Sequence, residues 1–343
     1  MNETLDYSPD DEMGQNYGTS EGGPEATPSV PPKEPAPPVN EYKERLLALL
    51  DRFGIEPDQN YLDQHLLVSE ETIDKLVASA EVTENDSVLE IGPGPGQITE
   101  ALAQKAGEVC AIEIDDRFEP ILEELTRRHP NVEIIMGSAL EEKWPKANKL
   151  VANPPFSIFE ALLGKIIQDK NIQEVFIVIG ERFYKVSVPS ELQMSKTGLM
   201  SRAFFDTELV GVVDPDSFYP RSRERSVILK MKRKRKKDGN PGLRSLVSRM
   251  LRSPNSNVGN LVNDAIFDSA ERFAQDPRQM PTPESLHISK NIMRKRLQDL
   301  SNSDITTIWH AIDSISNRKH RNRGRSRQNE EDSDEYSDDE YEL

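Results

Sequence analysis

The strongest constraint on the fold is a series of short, almost wholly apolar segments that alternate with segments of helical periodicity. Strands without a polar face have to be covered on both sides, which is typical of a parallel sheet between layers of helices. We therefore predict an α/β fold. The predicted strands span residues 87–92, 109–114, 132–137, 149–153 and 174–180, and two more follow at 209–214 and 226–232.

Helical periodicity marks both ends of this series of strands. A helix is predicted from Glu41 to Phe53, and another over 69–80 with Ser69 as its N-cap. From residue 240 onward, periodic helices replace strands. The predicted divisions are a disordered tail at 1–40, a sheet domain at 41–238, a helical domain at 239–317 and a second disordered tail at 318–343.

The formal net charge of −17 is concentrated in the tails. Residues 1–40 hold eight acidic residues and one base, and residues 329–343 hold nine acidic residues and no base, so the rest is nearly neutral. Such composition is typical of disorder. Within the neutral part, 230–237 has seven bases in eight positions and 318–327 has six Lys or Arg in ten. Basic runs are usually solvated surfaces, but two of them favour a phosphate-backbone partner.

The first predicted strand ends in the glycine-rich sequence LEIGPGPG, residues 89–96. Such glycines are either a structural turn or a loop whose backbone closely approaches a nucleotide-type cofactor. A dinucleotide-binding turn needs glycine where Gln97 stands, and the Gly-Lys-Ser/Thr of a P-loop is absent. The remaining pattern, acid-x-Gly-x-Gly-x-Gly, is the form in which a methyltransferase loop surrounds S-adenosylmethionine. The residues assigned to it are Glu90, Gly92, Gly94 and Gly96.

An acidic residue follows about 20 residues later, where the second predicted strand ends. Glu113 closes this strand, and Asp115 lies two residues further on. An acid at this place suits hydrogen bonding to ribose hydroxyls, whereas an acid just before a helix is often an N-cap. We assign the ribose contact to Glu113, because Asp115 fits the N-cap better.

The fourth predicted strand ends on Asn153-Pro154-Pro155-Phe156. Two prolines remove backbone donors and end the strand, so the segment is at least a stiff loop. It also matches the Asn/Asp-x-Pro-aromatic motif of amino-methyltransferases. In that role the Asn153 side-chain oxygen and the Pro154 carbonyl accept the hydrogens of an adenine amine, and Phe156 stacks on the base. The same motif serves glutamine methylation, so it leaves the acceptor open.

Taken in order, these motifs resemble the rRNA adenine dimethyltransferase family of the small-subunit type, over about residues 59–315. QNYL at 59–62 is similar to the family's Gln-Asn-Phe/Tyr-Leu cofactor motif, and NPPF stands where the family usually has Asn-Leu-Pro-Tyr. DSFYPRSRERSVIL at 216–229 is similar to the family's Phe-x-Pro-x-x-x-Val-x-Ser segment. The helical end resembles the family's C-terminal RNA-contacting domain.

The resemblance implies a Rossmann-like class I S-adenosylmethionine-dependent methyltransferase sheet with a small C-terminal helical domain. The implied reaction is dimethylation of adjacent adenines in small-subunit rRNA during ribosome maturation, with that rRNA or the pre-ribosomal small subunit as the partner. Phe218 is then expected near the target base. The further cofactor-binding residues implied by the resemblance are Gln59, Asn60, Leu62, Ile114, Ser138 and Ala139, together with Asn153.

Three segments depart from the family pattern. Ser138 stands where the family has an Asp that contacts the cofactor adenine, Gly180-Glu181-Arg182 replaces Gln-Lys-Glu, and RSPNSN at 252–257 replaces a basic segment. A second hypothesis is therefore an RNA-binding ribosome-assembly factor with weak or no catalysis. A third is an amino-methyltransferase with another acceptor, protein or DNA. A small protein-methylating enzyme would not need the helical domain and the two basic runs.

The remaining expectations concern compartment and assembly. The single cysteine, Cys110, excludes a disulfide framework, and its neighbours EVCAIEI predict a buried strand position. The sequence has no signal-peptide pattern and no apolar run approaching 18 residues, so we expect a cytoplasmic protein without a membrane partner. The predicted chemistry requires no metal, and we expect a monomer.

Overall fold

The structure is a computed structural model that describes residues 40–187, 194–273 and 280–315. The predicted tail at 1–40, apart from its last residue, lies outside the described residues, as do the tail at 318–343 and the basic run at 318–327.

The centre of the fold is a seven-stranded β-sheet in the order β4-β3-β2-β5-β6-β9-β7. The strands are β1 (Leu66–Leu67), β2 (Ser87–Ile91), β3 (Glu108–Glu113), β4 (Val132–Met136), β5 (Lys149–Ala152), β6 (Glu174–Gly180), β7 (Phe205–Val213), β8 (Phe218–Tyr219) and β9 (Ser226–Arg233). Strands β2 to β6 pair in parallel, whereas β9 runs antiparallel to both β6 and β7. The two short strands β1 and β8 form a separate antiparallel pair.

Helices follow most of the strands. They are α1 (Glu41–Phe53), α2 (Glu70–Ser79), α3 (Gln97–Ala103), α4 (Glu119–Arg128), α5 (Phe159–Gln168), α6 (Glu181–Ser187), α7 (Lys196–Phe204), α8 (Pro241–Arg252), α9 (Val258–Phe273), α10 (Lys290–Arg294) and α11 (302–315). The two predicted N-terminal helices are confirmed as α1 and α2. The Ser69 hydroxyl oxygen accepts a hydrogen bond from the backbone N–H of Thr72 at 3.2 Å, which confirms the predicted cap.

The sheet is buried on both faces, as its apolar strands predict. Successive residues of β5 alternate between two hydrophobic clusters: Leu150 and Ala152 pack with α5 and α7, whereas Val151 packs with α2 and α3. Cys110 of β3 is buried, as predicted, and burial raises the pKa of its thiol to about 12.

All seven strands of the predicted series are present, and all but one agree with the predicted ranges to within one residue at each end. The strand predicted at 209–214 begins at Phe205, because β7 is an edge strand whose first residues include the exposed Asp206 and Glu208. An edge strand pairs on one side only, so polar residues conceal it from an apolar pattern. The β1–β8 pair was not predicted, since two residues are too few to show alternation.

The C-terminal helices share the hydrophobic core of the sheet. One continuous cluster of buried residues contains Leu229 of β9, Leu246 of α8 and Ile312 of α11. A methyl group at Gly242 would lie 2.4 Å from the carbonyl oxygen of Ala265, so glycine allows α8 and α9 to approach closely. The predicted boundary near residue 238 stays a prediction, since the core continues across it.

Part of the basic run at 230–237 contributes to the fold. The Arg233 guanidinium donates hydrogen bonds to the carbonyl oxygens of Ile166, Asp169 and Ile172 at 2.6–2.8 Å. The Lys234 ammonium donates to the carbonyl oxygen of Arg202 at 2.8 Å. Burial lowers the pKa of both side chains. These two bases therefore join the end of β9 to α5, the loop after it and α7, which leaves fewer bases of the run for phosphate contacts.

The shared core predicts that damage to α11 also destabilises the sheet. Ile312 is fully buried, so Ile312→Ala should lower the free energy of unfolding by about 2–5 kcal/mol. Trp144 and Trp309 lie in the same cluster, Trp144 beside the sheet and Trp309 in α11. Replacing one of them by Phe leaves the fluorescence of the other as the only tryptophan signal. Both signals should shift to lower denaturant concentration. A shift of the Trp309 signal alone would contradict a shared core, and Val212→Ala on the exposed edge is the control.

Candidate functional site

A cleft lies at the carboxyl ends of the central strands. We call it the cofactor cleft; its walls are residues 62–67, the glycine turn after β2, Glu113 and Ile114 at the end of β3, and 153–156 after β5. Strand β2 pairs with β3 on one side and with β5 on the other. The strand order continues from β3 to β4 on the first side and from β5 to β6 on the second, so the direction of strand addition reverses at β2. Open α/β sheets bind ligands at this kind of switch point.

The glycine turn has the backbone conformation that its sequence predicts. Gly92, Gly94 and Gly96 have φ angles of 69°, 55° and 90°. Residues with a Cβ rarely adopt such positive φ angles. A Cβ at Gly96 would lie 2.5 Å from a methyl carbon of Leu125, so this glycine serves the packing of α3. Gly92 and Gly94 line the cofactor cleft, whereas Gly96 lies behind it.

Glu113 and Asp115 have different environments. Glu113 lies on the cleft wall and is 3% exposed; its two carboxylate oxygens accept hydrogen bonds from the backbone N–H groups of Gly94 and Asp115, both at 2.8 Å. Burial raises the pKa of Glu113, although these two donors act in the opposite direction. Asp115 caps the short 3₁₀ helix at 116–118 by accepting from the N–H of Arg117. The side chain facing the cleft is therefore that of Glu113.

Asn153 lies at the opposite wall. Its side-chain nitrogen donates a hydrogen bond to the backbone carbonyl of His65 at 2.9 Å. Its side-chain oxygen is buried and has no hydrogen-bond partner among the described residues. A buried acceptor without a partner costs free energy, so this oxygen is available to a donor that enters the cleft.

A second cavity of about 680 Å³ adjoins the cofactor cleft, and we call it the outer cavity. Asp63, His65 and Phe156 line both spaces, so these three residues form their common wall. Arg182 and Arg223 also line the outer cavity. The arrangement suits two ligands that meet at one boundary.

An aromatic group supports this boundary. The rings of His65 and Phe156 are stacked with centroids 6.2 Å apart, and the Phe218 ring meets both edge-on at 6.3 and 6.4 Å. Phe218 is 1% exposed and lines neither cavity. The structure therefore packs Phe218 edge-on against the two rings that line the cavities, His65 and Phe156.

The structure brings together only part of the predicted site. Gly92, Gly94, Glu113, Ile114, Asn153, Pro154, Phe156 and Leu62 line the cofactor cleft, and Gln59 lines the outer cavity. Residues outside both linings are Asn60, Glu90, Gly96, Ser138, Ala139 and Phe218. The Ala139 carbonyl oxygen accepts hydrogen bonds from the Trp144 indole and the Lys165 ammonium, which fix the turn after β4.

Several residues that line the cofactor cleft were not predicted from the sequence. They are Asp63, Gln64, His65, Gln97 and Phe118. The signal that could have identified three of them is their position, because the polar DQH at 63–65 directly follows QNYL and directly precedes a buried Leu-Leu pair.

Glu90 lies beneath the glycine turn, fully buried. One carboxyl oxygen accepts a hydrogen bond from the Thr99 hydroxyl at 2.6 Å, and the other has no partner among the described residues. Burial, together with the nearby charge of Glu113, raises the pKa of Glu90 to about 8. The predicted contact between Glu90 and the cofactor stays a prediction.

These residues fit S-adenosylmethionine. The cleft offers a buried carboxyl group at the strand end where ribose hydroxyls bind, and a turn of glycines whose backbone a ligand can approach closely. In the described parts of the chain, no group of three or more His, Cys, Asp or Glu is placed to hold a metal ion. None of the helices in those parts is long and apolar enough to span a membrane.

Comparison with known proteins connects this geometry to one family. A family model described as ribosomal RNA adenine dimethylase matches residues 58–266, more than half of the chain. A probable ribosomal RNA small subunit methyltransferase A from Thermococcus gammatolerans is 31% identical over 69% of this chain and 84% of its own length. The protein of the same name from Pyrococcus furiosus is 27% identical over 78% of this chain and 96% of its own length.

Two solved structures have a similar fold. A dimethyladenosine transferase from Plasmodium falciparum gives a TM-score of 0.51 with 21% identity, over 74% of this chain and 98% of its own. The 23S rRNA methyltransferase ErmE gives a TM-score of 0.50 with 22% identity, over 73% of this chain and 99% of its own. The predicted Rossmann-like methyltransferase fold is confirmed.

The glycine turn yields a matched pair of substitutions. Gly94 and Gly54 have similar φ angles, 55° and 65°, but a Cβ at Gly94 would lie 3.1 Å from Leu66 in the cleft, whereas a Cβ at Gly54 meets nothing within 4 Å. Both Gly→Ala variants should lose about 1–2 kcal/mol of stability from backbone strain. Only Gly94→Ala should also weaken binding of S-adenosylhomocysteine, measured by calorimetry. Equal affinity in the two variants would argue against a cofactor role for this turn.

The buried Glu90 predicts a pH-dependent stability. Its pKa is about 8 in the folded chain and near its usual 4.5 when unfolded, so between these values the folded chain keeps a proton that the unfolded chain has released. Stability from this group is therefore lost as pH rises through that window. Relative to wild type, Glu90→Gln should gain about 2–4 kcal/mol between pH 5 and pH 8. Denaturant titrations at a series of pH values test this, with the exposed Glu84→Gln as control. If the unfolding free energies of wild type and Glu90→Gln change with pH in parallel, the prediction is refuted.

Proposed function

Because this chain belongs to the ribosomal RNA adenine dimethylase family, we propose that its two adjoining cavities bind the methyl donor and a target adenine of small-subunit rRNA. The chain is an S-adenosylmethionine-dependent rRNA adenine dimethyltransferase. The observation that carries the assignment of its site is the buried, unpartnered side-chain oxygen of Asn153, a residue of the cofactor-cleft wall. The intact glycine turn and the unpartnered Asn153 oxygen argue against a factor that keeps the fold without catalysis.

The donor side of the site belongs to the ends of β2 and β3. The Glu113 carboxylate retains lone pairs beyond the two that accept backbone N–H groups, and these would bind ribose hydroxyls. Ile114 is 51% exposed beside it and offers an apolar surface to the adenosine. When bound, S-adenosylmethionine supplies an electrophilic methyl group on its sulfonium.

The acceptor side belongs to the loop after β5. An adenine amine is a weak nucleophile because its lone pair is delocalised into the ring. The Asn153 oxygen and the Pro154 carbonyl would accept its two hydrogens and favour a more tetrahedral nitrogen, whose lone pair then points toward the donor. Phe156 would stack on the base and hold it in line. The chain thus acts by orientation and hydrogen bonding at the acceptor amine.

The outer cavity is suited to the RNA strand. Arg182 and Arg223 line it, and neither makes an ion pair with another described residue. Guanidinium groups bind phosphate oxygens strongly and make affinity dependent on salt. We assign to them the phosphates near the target adenine. The absence of a metal requirement and the monomeric state stay predictions.

The acceptor role of Asn153 has a direct test. Asn153→Ala should lower the rate of methyl transfer to small subunits by about a hundred- to a thousandfold, the usual effect of losing one oriented polar contact to the reacting group. Binding of S-adenosylhomocysteine should remain within about threefold of wild type. Labelled donor, small subunits and digestion to nucleosides give both the rate and the modified base.

The matched control is Asn171→Ala, which removes an exposed amide in the loop before β6. It should transfer methyl groups at the wild-type rate. Unchanged turnover in Asn153→Ala would reduce NPPF to a stiff loop, and absence of labelled adenosine with the wild-type protein would contradict the proposed function itself.

A further inference from the structure

The segment of residues 58–65 forms a wall of both cavities. Leu62 and Gln64 line the cofactor cleft, Gln59 lines the outer cavity, and Asp63 and His65 line both. Such a segment, which precedes β1, cannot hold its position by strand pairing. One backbone hydrogen bond, from the Gln64 N–H to the Asp58 carbonyl oxygen at 3.0 Å, joins its two ends, and its attachment to the rest of the site depends on side-chain hydrogen bonds.

Gln64 makes the central bonds of this segment. It is 8% exposed, and its side-chain nitrogen donates to the Asp115 carboxylate at 2.7 Å. Its side-chain oxygen accepts from the backbone N–H of Asp58 at 2.6 Å. Both ends of the amide are therefore used. One end closes the 58–64 loop on itself, and the other attaches that loop to the region just after β3.

The Asp115 end of this connection is itself fixed. The Arg117 guanidinium donates to both Asp115 carboxylate oxygens, at 2.8 and 2.6 Å, and to the carbonyl oxygen of Glu56. Burial acts to raise the pKa of Asp115, but the hydrogen bonds from Arg117 and Gln64 leave it below its usual value. The backbone N–H of Asp115 donates to Glu113, so the anchor adjoins the carboxyl group on the cleft wall.

The other side of the segment holds the acceptor loop. The residue after Gln64 is His65, whose backbone carbonyl accepts the hydrogen bond from the Asn153 side-chain nitrogen. The Asp63 carboxylate accepts from the backbone N–H of Ser157 at 3.1 Å. A displacement of Gln64 would therefore move the group that orients Asn153.

We propose that Gln64 is a positioning residue that couples the donor and acceptor sides of the site, by fixing the His65 carbonyl, and through it the Asn153 amide, to the end of β3. This inference rests on the proposed function for its catalytic part. It predicts that one buried amide controls two measurable quantities. These are the affinity for the cofactor, through the 58–65 segment, and the rate of transfer at saturating cofactor, through the orientation of Asn153.

The test replaces Gln64 by a side chain of similar size without polar atoms. In the full chain, Gln64→Leu should weaken S-adenosylhomocysteine binding about tenfold and lower the methyl-transfer rate at saturating donor about tenfold. The control is Gln173→Leu. The side-chain nitrogen of Gln173 donates to carbonyl oxygens of its own exposed turn, more than 100 residues away from Gln64 in the sequence. It should change neither quantity. Thermal unfolding shows that each variant is folded at the assay temperature.

A second variant separates positioning from general damage. If Gln64 affects the rate only through the Asn153 amide, Gln64→Leu should slow the Asn153→Ala enzyme no further, while cofactor binding should still weaken about tenfold. A further tenfold loss of rate in the double variant would overturn the proposal. So would an unchanged saturated rate in Gln64→Leu, even with weaker cofactor binding.

Failure of this inference is distinguishable from failure of the proposed function. A wild-type protein that binds S-adenosylhomocysteine but leaves rRNA adenines unmodified would contradict the function, and with it the catalytic coupling. A wild-type protein that methylates rRNA beside a Gln64→Leu variant with the same saturated rate would contradict the coupling alone. If Gln64→Leu does not fold, Gln64→Met is measured instead, with the same expected losses.

Discussion

The site depends on the position of β2 between β3 and β5. The chain leaves β2 toward β3 and β4 on one side and returns to β5 and β6 on the other, so two loops separate at this point and leave a cleft. One of these strand ends carries Glu113 and the other carries Asn153. The residues of the donor side and of the acceptor side therefore lie at the ends of two strands that do not pair with each other, because β2 lies between them.

The sequence could predict the parts of the site that are local. Gly92, Gly94, Glu113 and Asn153 each lie at the end of a buried strand or within three residues after it, and such a position alone places them at the carboxyl edge of the sheet. Contacts across the chain are different: Gln64 meets Asp115 51 residues away, and His65 meets Asn153 88 residues away. No periodicity encodes such pairs. Phe218 and Arg233 show the same limit, since burial in the tertiary structure decides their role.

Two buried carboxyl groups at the ends of neighbouring strands are costly to the fold. Glu90 and Glu113 are both buried, and burial raises the pKa of each. Glu113 has backbone donors for both oxygens, whereas one oxygen of Glu90 has no partner among the described residues. Sites that bind ligands often retain such unfavourable groups, because removing them would remove the binding function. The stability of this chain is therefore expected to be lowest where its cofactor binds.

The orientation of a single amide decides what the acceptor side can do. An asparagine side chain has a donating end and an accepting end of nearly equal size, and an adenine amine has hydrogens that require an acceptor. If the Asn153 nitrogen faced the cavities, it would meet these hydrogens as a second donor and repel the substrate. The His65 carbonyl prevents this, because it accepts a hydrogen bond only from the nitrogen and so leaves the oxygen as the end that can accept from a substrate. The reactive end of Asn153 is thus selected by a backbone group of the 58–65 segment, outside the NPPF motif itself.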